Sequence, residues 1–281
     1  MRLPLFFFIG ALFLFPDKAD ATTLFFHGTP RQGEMLFGFV SPDSELTLNG
    51  EKLFPRKDGW FVVGIGRNDT EDLVFEAKKD GKTLKKILSV SKRKWNIQRV
   101  NGVPQNTVTP NKEEQNRIQR ENKITEKARQ KTVDMELPLC FIKPAKGKIT
   151  GIYGSQRILN GTPANMHNAL DIANKKGTII RAPADGIVLL SYDTMLVSGK
   201  TLILGHGQNL TTSYIHMDNL FVKTGQKVKK GEQLGTIGST GRATGPHLHW
   251  TVMWKDKRVD PQVFLKNSSA FCASTKKEVK K

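Results

Sequence analysis

Cysteine is nearly absent: Cys140 and Cys272 are the only two in the chain. Neither lies near a histidine, which sets aside a thiolate metal centre and a thiol nucleophile. In an oxidising compartment the pair permits one disulfide. Both sit just outside the β-rich stretch from Phe141 to about Leu265, so they either clasp its ends or are two separate buried thiols. Acidic charge is also short, with 26 Asp and Glu against 44 Lys and Arg and a net charge of +18. Such an excess calls for an anionic partner: nucleic acid, an acidic membrane or a cell-wall polymer. The apolar run from Leu3 to Phe15 is too short for a comfortable membrane span. No cysteine follows it, so a lipid anchor has no acceptor residue.

That short run has company. Arg2 precedes it and Ala19-Asp20-Ala21 follows with an A-x-A cleavage pattern, so residues 1–21 read as a secretory signal peptide. Export to the periplasm or cell envelope removes nucleic acid from the expected partners and favours peptidoglycan, anionic envelope polymers or a regulatory envelope protein. No transmembrane segment is expected once the signal is removed.

The fold expected is mainly β. Residues 22–90 hold short strand candidates separated by turns, among them Met35 to Val40, Leu46 to Leu48 and Trp60 to Val63, with Asn49-Gly50 as a hairpin signal. They suggest a small immunoglobulin-like sandwich without a catalytic cluster. Residues 91–136 turn polar and basic and read as a connector, with Pro110 opening a solvated helix over Asn111 to Lys131. Residues 137–266 return to Gly-punctuated strands uninterrupted by a long amphipathic helix, which argues for an antiparallel β domain. Residues 267–281 read as a basic tail.

Four of six histidines fall between His167 and His249 in contexts that suggest chemistry. In the stretch His247 to Trp254, His247, His249, Thr251 and Met253 alternate with Leu248, Trp250, Val252 and Trp254. A strand there buries the second set and presents both imidazoles on the other face. His167 and Asp171 are four apart, a spacing that shares a face in a helix or a strand; flanking turn residues favour a polar strand. Two imidazoles and one carboxylate suit a catalytic zinc, since one negative charge leaves the ion a strong Lewis acid. His216 lies in another alternating run, which places Thr212 and Tyr214 on its face, so Tyr214 is a candidate to orient a histidine, touch substrate or simply pack. His206, between Gly205 and Gly207, reads as a turn histidine, and His27 as a surface one. Gly238 to Pro246 forms a loop leading straight into His247, a candidate groove wall or a plain turn.

Taken in order, His167-Asn168-Ala169-Leu170-Asp171, Ala182-Pro183-Ala184-Asp185-Gly186-Ile187-Val188, Tyr214-Ile215-His216-Met217, Gly225-Gln226-Lys227-Val228 and Gly245-Pro246-His247-Leu248-His249 resemble the M23 metallopeptidases of lysostaphin/LytM type. The resemblance runs from about Phe141 to Leu265. It implies His167, Asp171 and His249 as ligands of one zinc ion per chain, and His216 and His247 as the catalytic histidines. It also implies an antiparallel β domain with a groove over the metal, and peptidoglycan stem or cross-link peptides as substrate, with the D-Ala–diaminopimelate bond favoured. Ala169 stands where the family usually has glycine, and Met166 where it usually has proline. Family forms kept inactive by a segment over the zinc make Asn160 a candidate inhibitory residue.

Other readings remain. One is a non-catalytic wall-binding activator of another hydrolase, which should have lost ligands. A second is a D,D-carboxypeptidase that trims stem peptides. A third is a swinging-arm carrier built on the V-x-x-G rhythm around Lys227, Lys229 and Lys230, which leaves the histidines unexplained.

Overall fold

The computed structural model describes residues 22–100, 110–159, 161–163 and 166–272. The N-terminal unit holds seven strands: β1 (Leu24–His27), β2 (Met35–Val40), β3 (Glu45–Leu48), β4 (Glu51–Leu53), β5 (Trp60–Gly64), β6 (Leu73–Lys79) and β7 (Lys82–Leu88). They form two antiparallel sheets, in the orders β1-β2-β5 and β4-β3-β6-β7. The sheets meet through aromatic rings: Phe26 of the first lies 4.5 Å from Phe75 of the second, centroid to centroid, and Phe61 lies 6.1 Å from Phe75. Asn49 has φ 48° and Gly50 φ 83°, as a tight hairpin between β3 and β4 demands.

The connector contributes a strand, β8 (Ile97–Val100), and helix α1 (Lys112–Arg129). Asn111 caps the helix with a reciprocal capping box to Glu114. Few apolar residues leave it little to bury, and Ala128 is its apolar anchor, packed with Leu189 and Ile203. Glu121 fastens its middle by accepting from the backbone N–H of Leu196 at 2.8 Å.

Twelve further strands follow: β9 (Lys148–Gly151), β10 (Gln156–Leu159), β11 (Thr162–Pro163), β12 (Leu170–Ala173), β13 (Ile179–Arg181), β14 (Gly186–Met195), β15 (Gly199–Gly205), β16 (Leu210–Leu220), β17 (Lys227–Val228), β18 (Gln233–Ile237), β19 (His247–Trp254) and β20 (Lys257–Val259). The main sheet runs β17-β14-β15-β16-β19-β12-β9, entirely antiparallel, with β18, β13 and β20 attached at its margins. Strand β8 pairs in parallel with β10 and so ties the connector to the segment just before His167. One face of the main sheet is core: Leu248, Trp250 and Val252 are fully buried and Trp254 nearly so.

Helical structure occupies the last described residues, up to Cys272. Helix α2 (Pro261–Ser268), capped by Asp260, continues into a 3-10 turn over Ser269–Phe271. Pro261 suits the first helical position, but a helix of eight residues is too short for its period to stand out beside the preceding strands. Phe264 is fully buried, and Phe37 of β2 packs on Phe264 and Phe271, so the hydrophobic core runs continuously between the two β units. Cys272 is bridged to Cys140 across 132 residues of chain, which resolves the two sequence alternatives in favour of the clasp. In the chain-entropy view, closing so long a loop stabilises the native state by roughly 5 kcal/mol. No helix among the described residues is long and apolar enough to cross a membrane.

Candidate metal centre

Strands β12 and β19 pair with Asp171 directly opposite His249 and Ala173 opposite His247. Opposed residues share a sheet face, so this register puts Asp171 and both histidines on the face away from the core. His167 arrives differently. It lies in the segment before β12 rather than in a strand. Its backbone is held by Gly154 N–H to its carbonyl at 2.7 Å and by its own N–H to the Ser155 carbonyl at 2.9 Å. The turn from Ile152 to Ser155, and not strand periodicity, therefore brings it to Asp171.

The three side chains converge. His167 Nε2 lies 3.0 Å from Asp171 Oδ2, His249 Nδ1 lies 2.8 Å from Asp171 Oδ1, and the two ring nitrogens are 3.3 Å apart. Zinc ligands at roughly 2.0–2.2 Å from a tetrahedral ion stand about 3.3 Å from one another, so the donor set fits that ion. The orientation of His167 also fits. Its Nδ1–H donates to the Ile152 carbonyl at 3.0 Å, which leaves the Nε2 lone pair facing the cluster. Burial pushes the Asp171 carboxyl up, but the hydrogen bonds and charges of His167 and His249 outweigh it and hold the group far below the usual carboxylate range. Burial pushes the His249 imidazolium down, against the pull of Asp171. An ionised Asp171 carboxylate beside a His249 imidazole biased toward neutrality is the state that binds a cation. Gly151 is required here, because a Cβ would collide with the Asp171 carboxylate and the His167 ring.

His216 and His247 complete the cluster, with ring centroids 4.9 Å apart and His216 6.0 Å from His249. Each is tethered by its Nδ1–H to a carbonyl of the loop before β19: His216 to Thr240 and His247 to Gly245, both at 2.8 Å. A carbonyl can only accept, so in both rings Nε2 is left free for chemistry. Burial pushes His216 down to about 4, which keeps it neutral near pH 7.

Strict alternation in β16 fails at His216. Between Tyr214 and Met217 the strand carries one residue more than β15, and His216 takes φ 63° with its N–H turned to Ser198. This bulge re-aims one side chain. It turns His216 to the face of His249, whereas Tyr214 stays opposite Trp250 on the core face, wholly buried. Tyr214 is therefore no substrate contact. Its hydroxyl donates to Thr212 Oγ1 (2.9 Å), which donates to His206 Nε2 (2.8 Å), whose Nδ1–H donates to the Asp185 carbonyl (2.7 Å). His206 lies in the turn between β15 and β16, as expected, and is also a fully buried link. Asn160 lies outside the described residues. Ala169 has no positive φ, so the methyl there carries no backbone strain.

Burial holds His206 down at about 4 in the native state, against 6.5 unfolded. A depressed histidine contributes stability above pH 6.5 that is lost as pH falls toward 4, because the unfolded chain takes the proton first. At about 1.4 kcal/mol per unit the loss approaches roughly 3 kcal/mol. Urea midpoints between pH 7 and 4.5 should fall more steeply for the native chain than for His206→Gln; parallel slopes would count against this.

A cluster of two histidines and one aspartate on one face of an antiparallel sheet, with two more imidazoles beside it, defines a site of metallopeptidase type. Residues 165–261 match the family description "Peptidase family M23". That segment of the chain is therefore a peptidase M23 domain. Over 94 residues it is 36% identical to peptidoglycan DD-endopeptidase ShyA of Vibrio cholerae, covering 34% of this chain and 22% of ShyA. Over 122 residues it is 32% identical to murein hydrolase activator NlpD of Escherichia coli, covering 43% of this chain and 30% of NlpD. The chain therefore spans less than a third of the length of these two curated relatives. A crystal structure assigned to peptidase M23 from Pseudomonas aeruginosa superposes with TM-score 0.63 at 29% identity, covering 85% of this chain and 96% of that one. The shared architecture thus extends well beyond residues 165–261.

Proposed function

We propose that the chain is an exported zinc-dependent endopeptidase that cuts stem or cross-link peptides of peptidoglycan, with the D-Ala–diaminopimelate bond favoured. The observation that carries this reading is the convergence of His167, Asp171 and His249 to within 3.3 Å of one another between the named ligand atoms. These three residues would hold the ion, and zinc when bound supplies Lewis acidity for hydrolysis. The Nε2 atoms of His216 and His247 face the same space. One takes a proton from the attacking water, and the other donates to the oxygen of the scissile carbonyl as charge develops there. Likeness to a DD-endopeptidase supports the substrate class.

Likeness to an activator keeps a non-catalytic role in view. Against it, this chain retains all five site residues and both tethering carbonyls. The leader pattern at residues 1–21 supports work in the periplasm or envelope, where a positive surface would hold the protein on an anionic wall. Purified cross-linked peptidoglycan digested with the chain should release new muropeptides, and chelator should stop the release. An unchanged muropeptide profile in a zinc-loaded sample would remove the enzyme reading.

A further inference from the structure

The sheet face that carries the metal centre continues beyond it. Thr251 and Met253 follow His249 along β19 on the same side, opposite Ser213 and Thr211 of β16. Arg258 of β20 stands opposite Met253 and so shares that side. Helix α1 lies across the neighbouring strands, since Ala128 packs on Ile203, the residue opposite Ser213. Helix and sheet thereby enclose a cleft of about 630 Å³, lined by Thr125, Arg129, Met253, Lys255 and Arg258 among others. Measured along β19 at about 3.3 Å per residue, Arg129 reaches Ser213, opposite Thr251, roughly 7 Å from His249, and Met253 and Arg258 stand about 13 Å from it.

The charges in this cleft are unbalanced. Lys255 is neutralised by Glu51 at 2.8 Å. Arg129 and Arg258 have no such partner among the described residues, and each is pressed by burial, with Arg258 repelling Arg129. Arg129 Nη2 donates to Ser213 Oγ at a long 3.3 Å, and its Nε is buried without an acceptor. The acidic rim residues Glu126 and Asp256 are exposed. Two half-buried guanidiniums held together without a counter-ion are costly unless an anion joins them. Their planar forks match a carboxylate.

We propose that Arg129 and Arg258 form a carboxylate-binding subsite of the substrate groove, receiving a free carboxylate of an acidic peptide two to four residues from the bond that lies over the metal centre. This rests on the peptidase reading above. It makes the connector helix a specificity element, because Arg129 lies outside the segment 165–261 that matches the family. A peptide lying extended along β19 would thread between helix and sheet and end on the arginine pair.

The test uses the zinc-loaded full chain and two synthetic cross-linked stem peptides that differ only in a C-terminal carboxylate or carboxamide. Hydrolysis is read as kcat/KM. Binding is read separately by calorimetry on the His247→Ala background, where cleavage does not intrude. The carboxylate peptide should be favoured by roughly tenfold or more, as charged hydrogen bonds of this kind are worth. Arg129→Gln and Arg258→Gln should each narrow the gap between the two peptides to about onefold, and Arg129→Lys should restore part of the preference. Cleavage of both peptides at equal rates with equal affinities would overturn the subsite and leave the peptidase reading intact. Carboxylate-dependent binding that vanishes in the arginine variants, with no cleavage of either peptide, would uphold the subsite and remove the peptidase reading.

Discussion

Replacing Asp171 with asparagine is expected to strip the chain of zinc and of hydrolytic activity together. The substitution keeps the shape but removes the one negative charge that faces His167 and His249 at 3.0 and 2.8 Å. Without it, two imidazoles must hold a divalent cation alone. Loss of an outer-shell partner already costs about 10- to 100-fold in metal affinity, and loss of a charged ligand should exceed that. Metal content after dialysis, measured by plasma spectrometry, should fall from one zinc per chain to a small fraction. Retention of stoichiometric zinc would mean that the ion, if bound, is held elsewhere. Heat stability is a useful companion measurement. The native chain should gain midpoint temperature on adding zinc, since a ligand that binds only the folded state stabilises it, whereas the asparagine variant should gain little.

The complementary result is expected from His247→Ala: zinc retained, turnover lost. His247 Nε2 stands 4.0 Å from Asp171 Oδ1, close to the cluster but outside the set of atoms within hydrogen-bonding reach of one another. Its role in the proposed reaction is to move a proton or to donate to the developing charge, and either contribution is worth about 10²- to 10⁴-fold in rate. The ring is also partly exposed, so truncation leaves no large cavity and the fold should survive. Muropeptide release should therefore fall by at least about a hundredfold with metal content unchanged. A variant that keeps full activity would transfer the proton chemistry to His216 alone. One that loses zinc as well would place His247 among the ligands.

Much of this was legible without coordinates. The alternation in His247 to Trp254 is sufficient to define a strand with one core face and one imidazole face, and burial of Leu248, Trp250 and Val252 accords with it. Period-two patterning is a local property, so a single strand reveals it. The mainly β architecture followed from the same patterning plus glycine and asparagine at turns. The pairing of Asp171 with His249 did not, because register depends on two strands separated by most of the domain. Tyr214 and His216 show the limit most sharply. Alternation alone assigns them one face, and a bulge that adds one residue to β16 separates them. Histidine is among the residue types enriched at positive φ, but that enrichment is too weak to announce a bulge from the sequence.

The sequence by itself determined the composition of the site, the β character of both units and the excess of positive charge, since each is written in residue types and local spacing. Only the tertiary structure decided that Cys140 meets Cys272 and that His206 and Tyr214 are interior links. Only it decided that His167 is delivered by a turn, and that Arg129 of the connector faces Arg258 across a cleft on the same sheet face. The physical reason is common to all four. Each depends on backbone carbonyls, strand register or packing between segments far apart in the chain, and none of these leaves a periodic trace in the residues themselves.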